Sequence, residues 1–189
     1  MSNPGFQFKQ FTVHHDLCAM KVGTDGVLLG AWAPCETATK VLDIGTGSGL
    51  IALMLAQRSQ AAITAIDIDE GAMRQAEINF GKSPWSSRMR VIHASLQEFC
   101  QQSPGKFDLI VSNPPYFINA LKSGQAPRDC ARHADTLPLK TLMHCTAELL
   151  SDSGNASFVF PADSANQLED AAWEENLYLT NRTDVSNNE

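Results

Sequence analysis

From residue 41 onward, short apolar runs alternate with segments whose apolar positions recur at three- and four-residue spacing. Val41–Ile44, Ala62–Ile68, Arg90–His93, Phe107–Ser112 and Ala156–Phe160 read as strands, and Leu177–Val185 reads as a sixth. Between them, Gly49–Arg58, Glu70–Phe80, Leu96–Gln101, Leu139–Ser151 and Ala162–Glu174 read as helices; Leu50, Ile51, Met54 and Leu55 form the apolar side of the first. This alternation predicts an α/β fold, a mostly parallel sheet with helices on both faces. Residues 1–40 precede it and read as an N-terminal cap, carrying an apolar Val27–Trp32 helix, on a single domain over 41–189. In such sheets a ligand lies beyond the carboxyl ends of the strands, where the winding direction reverses. The residues at those ends are therefore the candidates.

Composition narrows the classes. The 189 residues are 43% hydrophobic and 19% charged, ordinary for a globular domain and unlike a disordered or collagen-like chain. No apolar run approaches the roughly 18 residues of a membrane span, and no basic-then-apolar leader opens the chain, so a cytoplasmic protein without a membrane partner is expected. Cys18, Cys35, Cys100, Cys130 and Cys145 are odd in number and contain no C-x-x-C pair. They read as reduced thiols, with no metal site expected. The net charge of -7 is unevenly placed: residues 1–139 carry 12 Lys/Arg against 12 Asp/Glu, and residues 140–189 carry Lys140 and Arg182 against nine acids. Between Lys82 and Arg132, seven bases face three acids, a stretch able to meet an anionic partner or simply to be solvated.

The first strand runs into Asp43-Ile44-Gly45-Thr46-Gly47-Ser48-Gly49 just before a helix. Glycines there permit a sharp turn and a close approach of ligand to backbone, and the loop amides with the helix N-terminus are expected to make a positive rim. Leu50 stands where a dinucleotide fingerprint needs glycine, and no lysine follows as a triphosphate cradle requires. The second strand ends at Asp67, able to accept the hydroxyl protons of a ribose, while Asp69 is better placed to cap the next helix. Ribose recognition without pyrophosphate suggests S-adenosylmethionine, with Asp43 adding negative charge near its ammonium and sulfonium. The third strand end, with Ser95 and Leu96, reads as the adenine side of that site, and Ile68 beside Asp67 as a further cofactor contact.

The fourth strand runs into Asn113-Pro114-Pro115-Tyr116-Phe117. Two prolines make a stiff, extended loop, either a plain turn or a substrate clamp. The Asn113 side-chain carbonyl and the Pro114 backbone carbonyl can each accept one N–H of an –NH₂ group, aiming its lone pair at a methyl donor and stabilising the charge that develops. Tyr116 and Phe117 can stack on a planar base, worth about 1–3 kcal/mol per base.

Together, Asp43–Gly49, Asp67 and Asn113–Tyr116 resemble the motifs of class I S-adenosylmethionine-dependent methyltransferases of the Asn-Pro-Pro-Tyr amino-group type, a Rossmann-like fold. Phe6–Phe11, Ala19–Trp32 and Ala131-Arg132-His133 further resemble the bacterial tRNA-valine adenine methyltransferase family. The resemblance implies methylation of the exocyclic N6 amine of adenosine 37, just 3′ of the anticodon of a valine tRNA; a monomer is expected. It also implies that Lys21–Gly26, with Lys21, Thr24 and Asp25, closes over the cofactor as a lid; a capped turn before the following helix is the alternative. Asp43, Gly45, Thr46, Gly47, Gly49, Asp67, Ile68, Ser95, Leu96 and Asn113 would complete the cofactor site. Asn113, Pro114 and Tyr116 would perform the chemistry, and Pro115, Phe117, Arg128, Arg132 and His133 would meet RNA. Enzymes of this class finish with antiparallel sixth and seventh strands, so the last strand is expected to be missing, the C-terminus shortened and a sheet edge unpaired. A glutamine-amide methyltransferase of release factors, a guanine-N2 methyltransferase of ribosomal RNA and a non-catalytic cofactor-fold module are the competing readings.

Overall fold

The computed structural model describes residues 5–18, 20–114 and 137–186. The strands β1 (Gly5–Gln7) and β2 (Thr12–His14) pair as an antiparallel hairpin. There follow α1 (Thr24–Trp32), β3 (Lys40–Ile44), α2 (Leu50–Arg58), β4 (Ala62–Asp67), α3 (Glu70–Gly81), β5 (Met89–His93), α4 (Leu96–Gln101), β6 (Phe107–Ser112), α5 (Leu139–Leu149), β7 (Leu150–Phe158) and α6 (Ala165–Glu174). Strands β3 to β7 form one parallel sheet in the order β5-β4-β3-β6-β7. The chain starts in the middle, winds outward through β4 and β5, and then reverses to β6 and β7. The reversal lies between β3 and β6.

Burial explains why the central strands read so clearly. Val41, Leu42, Asp43 and Ile44 are all buried, because both faces of β3 are covered, so the strand is a continuous apolar run around one acid. One face packs Val41, Ile63 and Leu109 against α1, α2 and α3, and the other packs Leu42, Ile66 and Ile110 against α4, α5 and α6. Helix α2 lies between the sheet and α1, which is why six of its nine residues are buried. Helix α1 reaches it through glycine: a Cβ on Gly30 would lie 2.7 Å from Met54 Sδ, and one on Gly26 would lie 3.0 Å from a Leu50 methyl.

Three expectations are corrected. The fifth strand of the sequence begins at Leu150 and not at Ala156, directly after a helix that ends at Leu149 and not at Ser151. Gly154 lies inside β7, where the register to β6 slips between Phe107 and Leu109. Leu177–Val185 forms no strand; Tyr178, Leu179 and Val185 are exposed. Among the described residues the main sheet thus has five strands, and the outer edge of β7 carries Ser, Asp and Asn, the polar chemistry of an exposed edge.

Candidate active site

The register of the sheet places the candidate loops side by side. Ile44 and Ser112 are partners across β3 and β6, and Ser112 Oγ donates to the Ile44 carbonyl at 2.8 Å. The next residues, Gly45 and Asn113, therefore leave neighbouring strands at the same edge, where the winding reverses. Parallel strands lie about 4.8 Å apart, so two loops starting from one register position share a crevice. Asn113 is half-buried and Pro114 buried.

The glycine loop is built for shape and not for its amides. Gly45, Gly47 and Gly49 have φ of 68°, 57° and 82°, left-handed values that disfavour any residue with a Cβ. Around Gly45 and Gly47 the Cβ direction is open, whereas at Gly49 a Cβ would meet Phe80 of α3 at 2.5 Å. The expected positive rim is largely spent inside the protein. The Gly45 and Thr46 N–H groups donate to the Ile66 carbonyl, the Gly49 N–H to Thr46, and the Gly47 N–H to Asp67 Oδ2 at 2.8 Å. A phosphate cradle needs those donors, so the loop offers bare, Cβ-free backbone instead.

The acids at this edge differ in role. Asp43 is fully buried; one oxygen, Oδ2, accepts from Thr46 Oγ1 at 2.6 Å and from the Ala52 N–H at 3.2 Å, which ties the loop to the first turn of α2. Its Oδ1 is buried with no hydrogen-bond partner among the described residues. Burial pushes its carboxyl up from 3.8 to about 7. Asp43 thus sits beneath the loop and fixes its shape from below. Asp67, half-buried at the end of β4, receives the Gly47 and Asp69 N–H groups on its two oxygens, and burial raises its pKa. Each oxygen retains a second lone pair for a ligand hydroxyl. Asp69 caps α3, accepting from the Ala72 N–H at 2.7 Å, as its position suggested. The thiol of Cys18 lies in the same field: burial, then Asp67, Asp16 and Asp69, push it up to about 11. Carboxylates around an open glycine turn suit a cationic ligand that carries hydroxyls.

Of the remaining candidates, Lys21, Thr24 and Asp25 are exposed at the start of α1; Gly23 is the N-cap, without a side-chain bond. Because Gly26 packs on Leu50, that helix start lies beside the glycine loop. Ile68 is exposed, and its carbonyl is 2.9 Å from His93 Nε2. The Ser95 N–H and hydroxyl both go to Glu98 Oε2 in a capping box for α4, and Leu96 is buried in the core. Pro115, Tyr116, Phe117, Arg128, Arg132 and His133 lie outside the described residues.

Two residues at this edge escaped the sequence reading. Asn79, 1% exposed on α3, donates to the carbonyls of Ser48 at 2.7 Å and His14 at 2.8 Å and accepts from the His14 N–H at 3.1 Å. Gln75, one turn earlier, accepts from the Leu17 N–H at 2.9 Å. The two amides bolt the N-terminal hairpin and the segment after it to the helix that flanks the glycine loop. The signal was their i, i+4 spacing on the face that carries Ala72, Ala76 and Phe80, since a polar pair on a buried face needs partners.

This arrangement, a parallel sheet with a glycine turn and an Asn-Pro exit at one reversal point, is the class I methyltransferase fold. Solved structures share it. A SAM-dependent methyltransferase from Agrobacterium tumefaciens superposes with a TM-score of 0.68 at 18% identity, covering 92% of this chain and 57% of that one. The T. thermophilus 16S rRNA N2 G1207 methyltransferase, solved with AdoMet and guanosine, gives 0.63 at 20% identity, covering 88% of this chain and 45% of that one. Residues 20–137 match the model of the methyltransferase small domain family. Curated relatives named tRNA1(Val) (adenine(37)-N6)-methyltransferase are 54% identical in Parabacteroides distasonis, 53% in Bacteroides thetaiotaomicron and 47% in Cronobacter sakazakii. The matches cover 97–98% of this chain and 76–78% of those relatives. The chain belongs to the methyltransferase small domain family and, within it, to the tRNA1(Val) (adenine(37)-N6)-methyltransferase family.

Among the described residues no helix is long and apolar enough to cross a membrane, and no cluster of His, Cys, Asp and Glu could hold a metal ion.

Proposed function

We propose that the protein transfers a methyl group from S-adenosylmethionine to the exocyclic N6 amine of adenosine 37 in a valine tRNA. The observation that carries this reading is the Ile44–Ser112 register, from which the glycine turn and Asn113 emerge side by side. S-adenosylmethionine supplies, when bound, an electrophilic methyl on a positively charged sulfur. The Cβ-free surface of Gly45 and Gly47 gives such a ligand close access to backbone, and Asp67 has lone pairs for ribose hydroxyls. Asp43, beneath the turn, holds Thr46 Oγ1 and the Ala52 N–H and so fixes the shape of the loop that would meet the ligand. Lys21, Thr24 and Asp25 stand at the near end of α1 as the lid, with residues 1–40 forming a cap on the 41–189 domain. Ile68, Ser95 and Leu96 border the adenine side, where Ser95 acts by holding the start of α4.

The chain's own part in the chemistry is orientation. The lone pair of an aromatic amine is delocalised into its ring and attacks poorly. With both hydrogens accepted by Asn113 Oδ1 and the Pro114 carbonyl, that pair points at the methyl, and charge growing on nitrogen is stabilised. No strong base is needed, since the methylated cation loses its proton to water or to a carbonyl. Tyr116, Pro115 and Phe117 would hold the base, with Arg128, Arg132 and His133 near its backbone.

The test is incubation with labelled S-adenosylmethionine and unmodified tRNA, followed by digestion to nucleosides. Label in N6-methyladenosine from position 37 is expected. Label confined to guanine, or to glutamine of added release factor, would overturn the reading.

A further inference from the structure

At the opposite edge of the sheet, where the strands begin, the charge is reversed. Lys40 opens β3, Arg88 and Arg90 flank the start of β5, and Lys106 immediately precedes β6. Their side chains border one groove of about 320 Å³, with Thr64 at its wall, Phe107 at its end and no carboxylate in its lining. The groove reaches Pro104 in the connection between the six-residue helix α4 and β6. In a chain of net charge -7, this is not an average surface. Eleven Lys and Arg lie within the described residues, and Arg58, Arg74, Lys140 and Arg182 are ion-paired. Of the seven cations without a carboxylate partner among the described residues, four meet in this groove.

Three of them are also held in place. The Arg88 guanidinium donates to the carbonyls of Ala56, Ser59 and Ala61. Arg90 Nε donates to Thr64 Oγ1 at 3.0 Å, which leaves its two terminal nitrogens to face outward. Lys106 Nζ donates to the Glu148 carbonyl at 2.8 Å, using one of its three hydrogens. Neutral oxygens, carbonyl or hydroxyl, fix these three groups without cancelling their charge. Ordered cations along a groove with no carboxylate in its lining are what a phosphodiester strand needs from a protein.

We propose that this groove binds the sugar-phosphate backbone of the RNA substrate at a distance from the reacting base. The inference rests on the RNA-substrate reading above. Strands of five or six residues put the groove about 16–20 Å from the glycine turn. A folded RNA that presents one base at the carboxyl edge carries its flanking backbone over that distance. Contacts to phosphate position an RNA without reading its sequence, so the groove would raise affinity and fix orientation while the Asn113 loop selects the base.

The experiment compares the full chain with Lys40→Gln/Arg90→Gln, both exposed positions, and with the charge-keeping Lys40→Arg/Arg90→Lys. Binding of unmodified tRNA is titrated across a salt series, and a thermal melt verifies folding. The neutral variant is expected to bind tRNA about tenfold more weakly, to flatten the log Kd against log salt slope by about 2, and to keep its KM for S-adenosylmethionine. The charge-keeping variant should restore the slope. An unchanged slope and affinity in the neutral variant would overturn the proposal. A parallel titration with pyrophosphate at constant ionic strength separates a free anion from an RNA strand. Loss of pyrophosphate binding with tRNA binding intact would also overturn it. Binding reads the groove and the nucleoside digest reads the reaction, so either failure is seen apart from the other.

Discussion

The two ends of this sheet are built from the same strands yet solve opposite problems. At the carboxyl end, acids gather around a turn whose amides are already spent: Asp43 lies beneath it, while Asp67 and Asp69 stand beside it. At the amino end, Lys40, Arg88, Arg90 and Lys106 gather around a groove without acids. The two edges of one small domain thus present opposite charge, acidic at one and basic at the other. A net charge of -7 says nothing against RNA binding when the positive groups are so concentrated.

The sharpest way to break this contrast is to remove the chemistry from the carboxyl end while leaving the rest. Asn113→Ala should lower kcat by about 10²–10³-fold, the usual cost of one donor or acceptor aimed at developing charge. A variant as active as wild type would remove Asn113 from the mechanism.

The next effect is structural. Asn79→Ala leaves the Ser48 and His14 carbonyls and the His14 N–H short of partners in a buried place. Urea unfolding should show a loss of about 2–4 kcal/mol, and cofactor affinity should fall with it because Ser48 belongs to the glycine turn. Full retention of both would mean that the hairpin and the turn are independent.

A smaller effect follows from the buried acid. The Asp43 carboxyl titrates near 7 in the folded protein and near 3.8 when exposed, so between those values the folded state holds the extra proton. Stability from this group therefore falls as pH rises from about 4 to 7, by at most about 1.4 kcal/mol per pH unit. Without cofactor, wild type should lose stability relative to Asp43→Asn between pH 5 and pH 7, read by urea midpoints. Parallel pH profiles would contradict the burial argument. Smallest of all, Arg74→Ala removes an exposed ion pair to Glu70 and should shift stability by less than about 0.5 kcal/mol.

Much of this molecule was legible in advance, for a physical reason. Strands covered on both faces, such as Lys40–Ile44 and Phe107–Ser112, are nearly unbroken apolar runs, and helices between them are marked by caps such as Asp69 and Ser95. Elements that break those conditions were misread. Strand β7 is a polar edge strand that follows α5 with no turn residue between them, so the boundary at Leu150 leaves no mark in the pattern. Leu177–Val185 has strand-like composition, yet the described residues give it no pairing partner. The β1–β2 hairpin has three-residue strands, too short for a period to register.

The site divides in the same way. Glycine positions and Asp67 follow from motif spacing, because backbone conformation and strand ends are local properties. What the motif cannot express is which hydrogen bonds the turn makes: the amide rim turned inward, Asp43 went under the loop, and Asn79 reached across from another helix. Those are tertiary facts, settled by which face of α3 meets the turn.

The measurement that bears most directly on the shared crevice is a crystal structure of the full chain with S-adenosylhomocysteine. The ligand should lie against Gly45–Gly49 with its ribose on Asp67 and its sulfur facing the Asn113 side chain. Density at another edge of the sheet, or a sulfur turned away from Asn113, would contradict the account.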